Sequence, residues 1–479
     1  MAYPNLFKEG SIGSCRLRNR IIMPLYPTKY VQDSRVSERM IAFYRERAAG
    51  GAAMIVLDCP CLDYPALYKG KNELRMDEPS YVEGIRRLLD AVHEQGAKAF
   101  MHLNYPKERF FDKPVEGAKQ KGDKWVQPMA NHMSAEEAYA AIDTMARGAR
   151  RARETGYDGV DIQAGYGDLI HQLLSPLSNK RTDEFGGTAE NRARFLTTLI
   201  KRIKHEAGED FPVMVKLVCD EYIAGGITID DSRAVAEMAA LAGADAIVAN
   251  AGNKATKYRT IPPHSSAPGP LVHLAAEIKK AVDIPVTAIA KINTPELAEE
   301  IIAGEKADFV AMARALVADP YLPLKAREGR RQEIRGCICC LEDCAQSGVP
   351  GLGRSCTVNP FAGQEYIMKI RPAEKKKKVT IVGGGPAGMQ AAILAAGRGH
   401  EVTLYERRQT LGGQFRLASR ARYKEEVAEL LRYLKYMLDR ETVNVITGTE
   451  AGVDEITAGN PDAVILCTGS VPARPAIAG

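Results

Sequence analysis

Eight short apolar runs alternate with helix-like segments through the first two thirds of the chain, and this alternation constrains the fold more than any other feature. The segments between the runs, for example 135–155 and 191–206, repeat apolar residues every three or four positions, as amphipathic helices do. Parallel strands need crossover connections, and closing the sheet removes its edges, so the pattern predicts an α/β protein with a (β/α)8 TIM barrel. A doubly wound parallel sheet is the alternative. The eight runs are 21–23, 52–57, 99–103, 159–162, 213–218, 246–249, 286–290 and 309–312.

A chain of 479 residues is too long for one ordinary domain, and its 45% hydrophobic residues suffice for several cores. We expect a barrel domain over 1–335, a cysteine loop and linker over 336–372, and a Rossmann-like domain over 373–479. After Asp319-Pro320 the pattern predicts a helical stretch up to Arg335. The lysine run 375–378 has no interleaved aromatic residues, which indicates a solvated linker and no nucleic-acid partner.

The amino-terminal segment 1–10 has no apolar core of a signal peptide, and no later stretch is as long as a membrane span. We therefore expect a cytoplasmic protein with no membrane partner. In such a compartment clustered cysteines indicate metal binding more often than disulfide bonds.

Five of the ten cysteines fall between positions 337 and 356. Four thiolates this close together hold either a tetrahedral zinc ion or a [4Fe–4S] cluster. Zinc ribbons usually present two separated C-x2-C pairs, whereas three cysteines crowd together here, which favours the cluster and leaves zinc as the alternative. Cys339 is an extra thiol inside the first gap. The expected ligands, spaced C-x2-C-x3-C-x11-C, are Cys337, Cys340, Cys344 and Cys356.

A glycine-rich turn opens the last part of the chain. The strand-like segment 378–382 runs into Gly383, Gly385 and Gly388 in the pattern G-x-G-x-x-G, and a helix then extends to about Arg398. Glu406 closes the next strand, 401–406. A strand, this turn, a helix and an acidic residue together form the full dinucleotide-binding context. The glycines would let a pyrophosphate approach the helix amino terminus, and Glu406 would accept hydrogen bonds from ribose hydroxyls.

Taken together, these features resemble the iron–sulfur branch of the old yellow enzyme family, the group of 2,4-dienoyl-CoA reductase and trimethylamine dehydrogenase. The resemblance implies a TIM barrel, a [4Fe–4S] loop and a partial FAD/NAD(P)-binding domain, with Gln414 as a further cofactor contact. The chain stops at Gly479, near the turn 467–469 where the family's FAD domain admits an NAD(P)H-binding insert, so we expect this domain to be truncated. The matching segments are 17–24, 175–187, 356–360, 383–388 and 411–414.

The resemblance also implies non-covalent FMN at the carboxyl end of the barrel. Tyr26 stands where the amine dehydrogenases of the group carry their flavin-linking cysteine, and His102 stands where the family usually has a glutamine. Lys216 would face the flavin N1–C2 carbonyl region, and Lys291 and Arg314 would hold the phosphate. The FMN residues implied by the resemblance are Pro24, Leu25, Tyr26, His102, Gln163, Lys216, Ala290, Lys291, Ala313 and Arg314.

The activity implied by the resemblance passes electrons from NAD(P)H through FAD, or ADP in its place, and the cluster to FMN. FMN then reduces an activated C=C bond of an enoyl thioester or enone, or runs the reverse desaturation. Gln163, Tyr166 and Asp168 replace the family's usual residues after strand four, so the substrate stays open; Tyr166 is our candidate proton donor, with Asp168, Tyr258 and His264 next.

Two other functions remain open. One is an amine dehydrogenase or demethylase, and the other is a non-catalytic electron-transfer subunit. We expect a small-molecule substrate and a homo-oligomer.

Overall fold

The computed structural model describes residues 2–111, 113, 119–121, 124–345, 353–471, 473 and 477. The chain separates into two compact units. The first unit contains Met1–Gly329 and Cys339–Tyr366, and the second contains Arg330–Ile338 and Ile367–Gly479.

Eight parallel strands of the first unit form a closed barrel in which each strand lies between its neighbours in the sequence and the eighth pairs with the first. The TIM barrel expected from the sequence is therefore confirmed, and the doubly wound sheet is excluded because such a sheet keeps two free edges. The strands are β1 (Ile21–Met23), β2 (Met54–Leu57), β3 (Lys98–Leu103), β4 (Gly159–Ala164), β5 (Val213–Val218), β6 (Ala246–Asn250), β7 (Val286–Ala288) and β8 (Phe309–Ala311).

The helices around the barrel begin at side-chain caps that the sequence carries. Ser134 and Glu137 form a capping box at the start of Ala135–Thr155, which ends at Gly156 with φ +112°. Thr188 accepts from the Asn191 amide at the start of the next long helix. The helices of this unit are Glu38–Ala49, Pro79–His93, Ala135–Thr155, Leu169–Leu174, Ala189–Ala207, Ile229–Leu241, Lys257–Thr260, Val272–Ala281, Pro295–Ala303, Ala313–Ala318 and Leu322–Arg327.

The helical stretch expected to reach Arg335 is shorter than the sequence indicated. The helix Leu322–Arg327 stops before Gly329, which has φ +74°, and a single 3-10 turn, Arg331–Glu333, follows. A residue with positive φ cannot continue a right-handed helix, so the glycine ends it. No helix among the described residues is long and apolar enough to cross a membrane.

An antiparallel ribbon, Gly10–Ile12 paired with Cys15–Leu17, packs into the barrel core. Ile12 and Leu17 share a fully buried cluster with Phe100, Met214 and Phe309 from the strands. Large side chains therefore fill the barrel interior, and an open site is left to the loops at its carboxyl end. An insertion after β3 forms a separate three-stranded sheet from Glu108–Phe111, Lys119–Lys121 and Lys124–Pro128.

The segment after the cysteines is tied to the barrel by a buried ion pair. Arg47, whose side chain is 0% exposed, pairs with Glu365, stacks over Phe43 and donates to the Leu316 carbonyl oxygen. Asn359 donates to the Val317 carbonyl oxygen at 2.9 Å. Removing one partner of a buried pair leaves an uncompensated charge, so these contacts hold the segment against the barrel.

The second unit contains a four-stranded parallel sheet. Its strands are β9 (Lys378–Val382), β10 (Glu401–Glu406), β11 (Asn444–Thr447) and β12 (Ala463–Leu466), in the spatial order β11-β10-β9-β12. The helix Pro386–Gly397 connects β9 to β10, as expected from the sequence, and Glu425–Arg440 leads to β11. Two short helices, Phe415–Ala418 and Val453–Ala458, complete the unit.

Candidate active site

A cavity of about 890 Å³ opens at the carboxyl ends of the barrel strands. Loops that follow seven of the eight strands contribute to its wall, and β5 contributes Lys216 from the strand itself. The volume suits a cofactor or a drug-sized ligand. All of the residues expected to hold FMN line this cavity, as do Tyr166 and Asp168. The expected wall residues are Pro24, Leu25, Tyr26, His102, Gln163, Lys216, Ala290, Lys291, Ala313 and Arg314.

A buried carboxylate beneath the cavity links two of these residues. Asp161 is fully buried, with Oδ2 3.1 Å from Lys216 Nζ and 3.2 Å from His102 Nδ1. Burial alone would raise the pKa of Asp161, but the Lys216 and His102 side chains outweigh it and hold that pKa below its usual range. Burial lowers the pKa of His102, which favours the neutral imidazole with its proton on Nδ1. The carboxylate therefore fixes both side chains at the cavity floor.

The loop after β4 presents Tyr166 and Asp168 to the cavity. Asp168 pairs with Lys107 at 2.7 Å and accepts from Asn104 and Gln163, each at 3.3 Å. Tyr166 has φ +60°, and its hydroxyl makes no hydrogen bond within the part of the chain that the structure describes. Burial raises the pKa of Tyr166, so the phenol keeps its proton at neutral pH. Asp168 is thus engaged by a cation, whereas the Tyr166 hydroxyl is available to a ligand.

A second buried carboxylate, Glu221, holds the loop that carries Tyr166. Glu221 accepts from His171 at 3.0 Å, from Ser175 at 2.6 Å and from the Ile227 amide at 2.8 Å. His171 in turn accepts from the Gly167 amide at 2.8 Å through Nδ1, so its proton lies on Nε2, facing the carboxylate. Burial opposes ionisation, but the hydrogen bonds lower the pKa of Glu221 to about 2.

The two cations expected at the flavin phosphate lie on the cavity wall beside the loop after β6. Lys291 Nζ donates to the carbonyl oxygens of His264 and Ser266, and Arg314 donates to that of Pro262 at 2.8 Å. Ala290 and Lys291 both have positive φ, +83° and +48°, which turns the backbone sharply after β7. Among the described residues Arg314 uses one of its guanidinium N–H groups, so donors remain for a phosphate.

Two further proton-bearing side chains, Tyr26 and Asp58, line the cavity. Tyr26 is buried, stacks on Phe43 with ring centroids 5.7 Å apart, and has no hydrogen-bond partner for its hydroxyl among the described residues. Asp58 lines the same cavity and accepts from Tyr44 at 3.5 Å. Burial raises the pKa of Asp58 to about 7. Tyr26, which the resemblance aligned with a flavin-linking cysteine, thus offers a phenol and no thiol to the cavity.

The cysteine segment reaches this cavity through Cys344 and Arg354, which are part of its wall. Burial and the neighbouring thiols of Cys356 and Cys340 raise the pKa of Cys344 to about 11. Cysteine sulfurs are the ligands that zinc ions and iron–sulfur clusters take, so the donor type of this segment fits such a group. Across residues 2–345 and 353–471, leaving aside the undescribed positions near 112–123, no three His, Cys, Asp or Glu side chains already form a metal site.

Cys339 differs from the other cysteines of the segment. It is 1% exposed, and its sulfur accepts a hydrogen bond from Asn293 at 2.9 Å. Asn293 follows β7 and lines the cavity. The extra thiol is thus packed against the barrel.

In the second unit the glycine-rich turn has the backbone that the motif requires. Gly383 has φ +113°, and a Cβ on Gly388 would lie 1.9 Å from the Gly383 carbonyl oxygen. A Cβ on Gly385 would meet only Gly413 Cα, at 4.0 Å, which leaves room for a ligand. Glu406 is buried and accepts from the amides of Gly384 and Arg408, so its carboxylate also braces the turn. Gln414 donates to the Ser470 carbonyl oxygen at 2.6 Å.

Two candidate proton donors do not join the site. The Tyr258 side chain is 53% exposed, and neither Tyr258 nor His264 lines the cavity. Sequence reasoning also missed Asp161 and Glu221. Asp161 has a weak signal, because it lies two positions before Gln163 on the same face of an otherwise apolar strand. Glu221 has no such signal, since its side-chain partners His171, Ser175 and Asn253 follow two other strands.

A closed barrel with a cavity at its carboxyl mouth, in a chain that also carries a dinucleotide-type sheet, is the arrangement expected of a flavin- and pyridine-nucleotide-dependent oxidoreductase. Residues 5–333 match the NADH:flavin oxidoreductase / NADH oxidase family, and residues 377–479 match the pyridine nucleotide-disulphide oxidoreductase family.

Individual relatives support the same family. The chain is 41% identical to NADH oxidase of Thermoanaerobacter brockii over 488 residues, covering 100% of this chain and 74% of the relative. It is 30% identical to cinnamate reductase of Clostridium sporogenes, covering 98% and 75% of the two chains. A solved complex of 2-naphthoyl-CoA reductase with 2-naphthoyl-CoA matches with a TM-score of 0.89 at 31% identity, covering 99% and 75%. The chain belongs to the NADH:flavin oxidoreductase / NADH oxidase family and is an NAD(P)H-dependent flavin oxidoreductase.

Proposed function

We propose that the protein takes electrons from NAD(P)H and reduces an activated C=C bond at the barrel mouth, using FAD, a [4Fe–4S] cluster and FMN in that order. The substrate is an enone or an enoyl thioester. The observation that carries this proposal is the cavity wall itself, where Cys344 of the cysteine segment stands among the residues suited to FMN. A cluster held by Cys337, Cys340, Cys344 and Cys356 would then adjoin the flavin.

When bound, FMN supplies hydride transfer and the cluster supplies single-electron transfer. The protein binds and orients these groups and places cations beside their negative charges. Lys216 offers a cation at the cavity floor, and Asp161 and His102 hold it in place. Lys291 and Arg314 offer donors to the phosphate.

Tyr166 is the group that we assign to proton delivery. Reduction of an activated alkene leaves the α-carbon in need of a proton, and a protonated phenol beside the substrate supplies one. We do not assign this role to Asp168, because the Lys107 ammonium lies 2.7 Å from its carboxylate and already pairs with it. Its contacts with Asn104 and Gln163 give it a structural role in holding the β4 loop.

Replacing Tyr166 with Phe tests this function. In protein reduced with dithionite, Tyr166→Phe should slow reoxidation by an enone about 10²-fold while flavin reduction by NADH stays unchanged. Tyr258→Phe is the matched control, because it removes the same hydroxyl outside the cavity. An unchanged rate in Tyr166→Phe removes this residue from the mechanism. If reduced wild-type protein transfers nothing to enones or enoyl thioesters but amines reduce the oxidised protein, the function is amine dehydrogenation.

The cluster has its own test. Anaerobically purified protein should contain iron and sulfide in equal amounts, and Cys340→Ser should lose both. Cys339→Ser should keep them, because Cys339 packs against Asn293 and is not among the expected ligands. Stoichiometric zinc without iron would rule out the cluster.

A further inference from the structure

The outer wall of the cavity is rich in lysine. Five lysines come from loops after four different strands, and none belongs to the residues expected to hold FMN. Lys29 follows β1, Lys69 follows β2 and Lys107 follows β3, while Lys254 and Lys257 follow β6. Because they follow four different strands, their convergence is a property of the folded barrel.

Three of these lysines are already paired. Lys69 lies 3.3 Å from Glu73, and Lys107 lies 2.7 Å from Asp168. Lys254 lies 3.6 Å from Glu108.

The remaining two lysines, Lys29 and Lys257, are exposed and make no ion pair or side-chain hydrogen bond within the described ranges of the chain. Asp58, the remaining acid of the wall, accepts from the Tyr44 hydroxyl. Within the part of the chain that the structure describes, two positive charges of the cavity wall therefore have no ionic partner.

The rest of the wall suits an unsaturated hydrocarbon. Apolar side chains face the cavity beside these cations, among them Leu25, Val31, Leu62, Leu67 and Ile261. Uncompensated cations at the mouth of a low-dielectric cleft concentrate anions there and raise their association rate. A substrate that matches this wall has an apolar reacting part and a negative charge at its outer end.

We propose that this mouth selects substrates that carry an anionic group, a carboxylate or a phosphate, away from the bond to be reduced, and that Lys29 and Lys257 meet that group. The inference rests on the proposed function for its substrate class. The binding preference can be measured without turnover, so the anion site and the proposed reduction can fail separately.

Matched pairs of probes test the proposal on the FMN-loaded protein. The first pair is 4-(4-carboxyphenyl)but-3-en-2-one and its methyl ester, which share the enone and differ in a remote charge. The second pair is crotonyl-CoA and the neutral crotonyl thioester of N-acetylcysteamine. Calorimetric titration without reductant should give affinities about tenfold higher for the anionic member. A preference confined to one pair identifies the carboxylate or the phosphate as the group recognised.

The double variant Lys29→Gln, Lys257→Gln should reduce this preference to about twofold or less and leave the neutral probes unaffected. Lys201→Gln, Lys435→Gln removes the same charge from exposed sites outside the cavity and should keep the preference. In wild-type protein the preference should also decline between 0.05 and 1 M salt, because the screening length falls to about 3 Å.

The outcomes distinguish the anion site from the proposed ene reduction. Equal affinities for both members of both pairs, no binding of the anionic probes, or a full preference in the lysine variant overturns the anion site. A preference for the anionic probes without any reduction of them by dithionite-reduced protein supports the anion site and overturns the proposed ene reduction.

Discussion

The barrel mouth and the glycine-rich turn are both suited to phosphate-bearing cofactors, but they are built in opposite ways. The turn is made by one continuous stretch, 378–406, whose backbone shape and bracing carboxylate come from residues close in sequence. The mouth is made by one strand and by the loops after the seven others, with wall residues from Pro24 to Arg354. The turn depends on local geometry, whereas the mouth depends on charged side chains whose partners come from distant parts of the chain.

This difference predicts different responses to substitution. A change in the turn should act through steric access of the ligand and spare the rest of the protein. A change in the mouth should also alter the side chains that pair with the substituted charge. Four substitutions test the contrast, from the largest expected effect to the smallest.

Removing both phosphate cations should have the largest effect. Lys291→Ala, Arg314→Ala removes charged donors from the cavity wall, and each charged hydrogen bond contributes about 1.5–3 kcal/mol. The Kd for FMN should rise about 10³-fold, measured by fluorescence titration of the flavin-free protein. Thermal unfolding of that protein checks that the loop 262–266 still folds. Normal FMN affinity would contradict the assignment.

Glu221→Gln should lower stability in a pH-dependent way. The pKa of this carboxyl falls from 4.5 to about 2 on folding, and at about 1.4 kcal/mol per unit it contributes about 3 kcal/mol. That contribution is complete above pH 4.5 and is lost as the pH falls towards 2. The stability difference between wild type and variant should therefore shrink from pH 7 to pH 3 in thermal unfolding. Glu237→Gln, at an exposed position, should show no such trend.

In the turn, Gly385→Ala should weaken ADP binding about tenfold without unfolding the unit. A Cβ there meets no protein atom closer than 4.0 Å, but it enters the space that a pyrophosphate would occupy. Gly397→Ala, at the end of the same helix, is the matched control and should bind normally. Calorimetric titration with ADP compares them. Unchanged affinity in Gly385→Ala would place the pyrophosphate elsewhere.

Asp161→Asn should give the smallest effect, a rise in the FMN reduction potential on the order of 20 mV. Without the carboxylate, the Lys216 charge is less neutralised and stabilises the anionic reduced flavin more strongly. The control is Asp158→Asn, because Asp158 precedes β4 and pairs with His93 and Lys98. Spectroelectrochemical titration measures the shift. A fall in potential, or an equal rise in both variants, would show that Asp161 does not act through Lys216.

The elements whose signal is local could be predicted from the sequence. All eight barrel strands form where apolar runs indicated them, with ends that differ by at most two residues, because strand and helix periodicities are determined by neighbouring positions. The glycine-rich turn and the helix Ala135–Thr155 also form as expected, since φ above zero and side-chain capping are decided by adjacent residues.

The resemblance to known relatives supplied the cavity residues. Every residue expected at FMN lines the cavity, because barrel topology brings all eight strand ends together whatever the loops contain. Tyr258 and His264, the further candidates for proton delivery, do not line the cavity; the course of the loop after β6 decides this, and no periodicity governs a loop.

By itself, then, the sequence determined the barrel, the cysteine spacing and the dinucleotide turn. The tertiary structure alone decided which charges meet: Asp161 with Lys216, and Glu221 with His171. It also left Lys29 and Lys257 without acidic partners among the described residues. The reason is physical, since pairing depends on distances of a few ångströms between side chains that are about 50 residues apart in the sequence, and no local pattern encodes those distances.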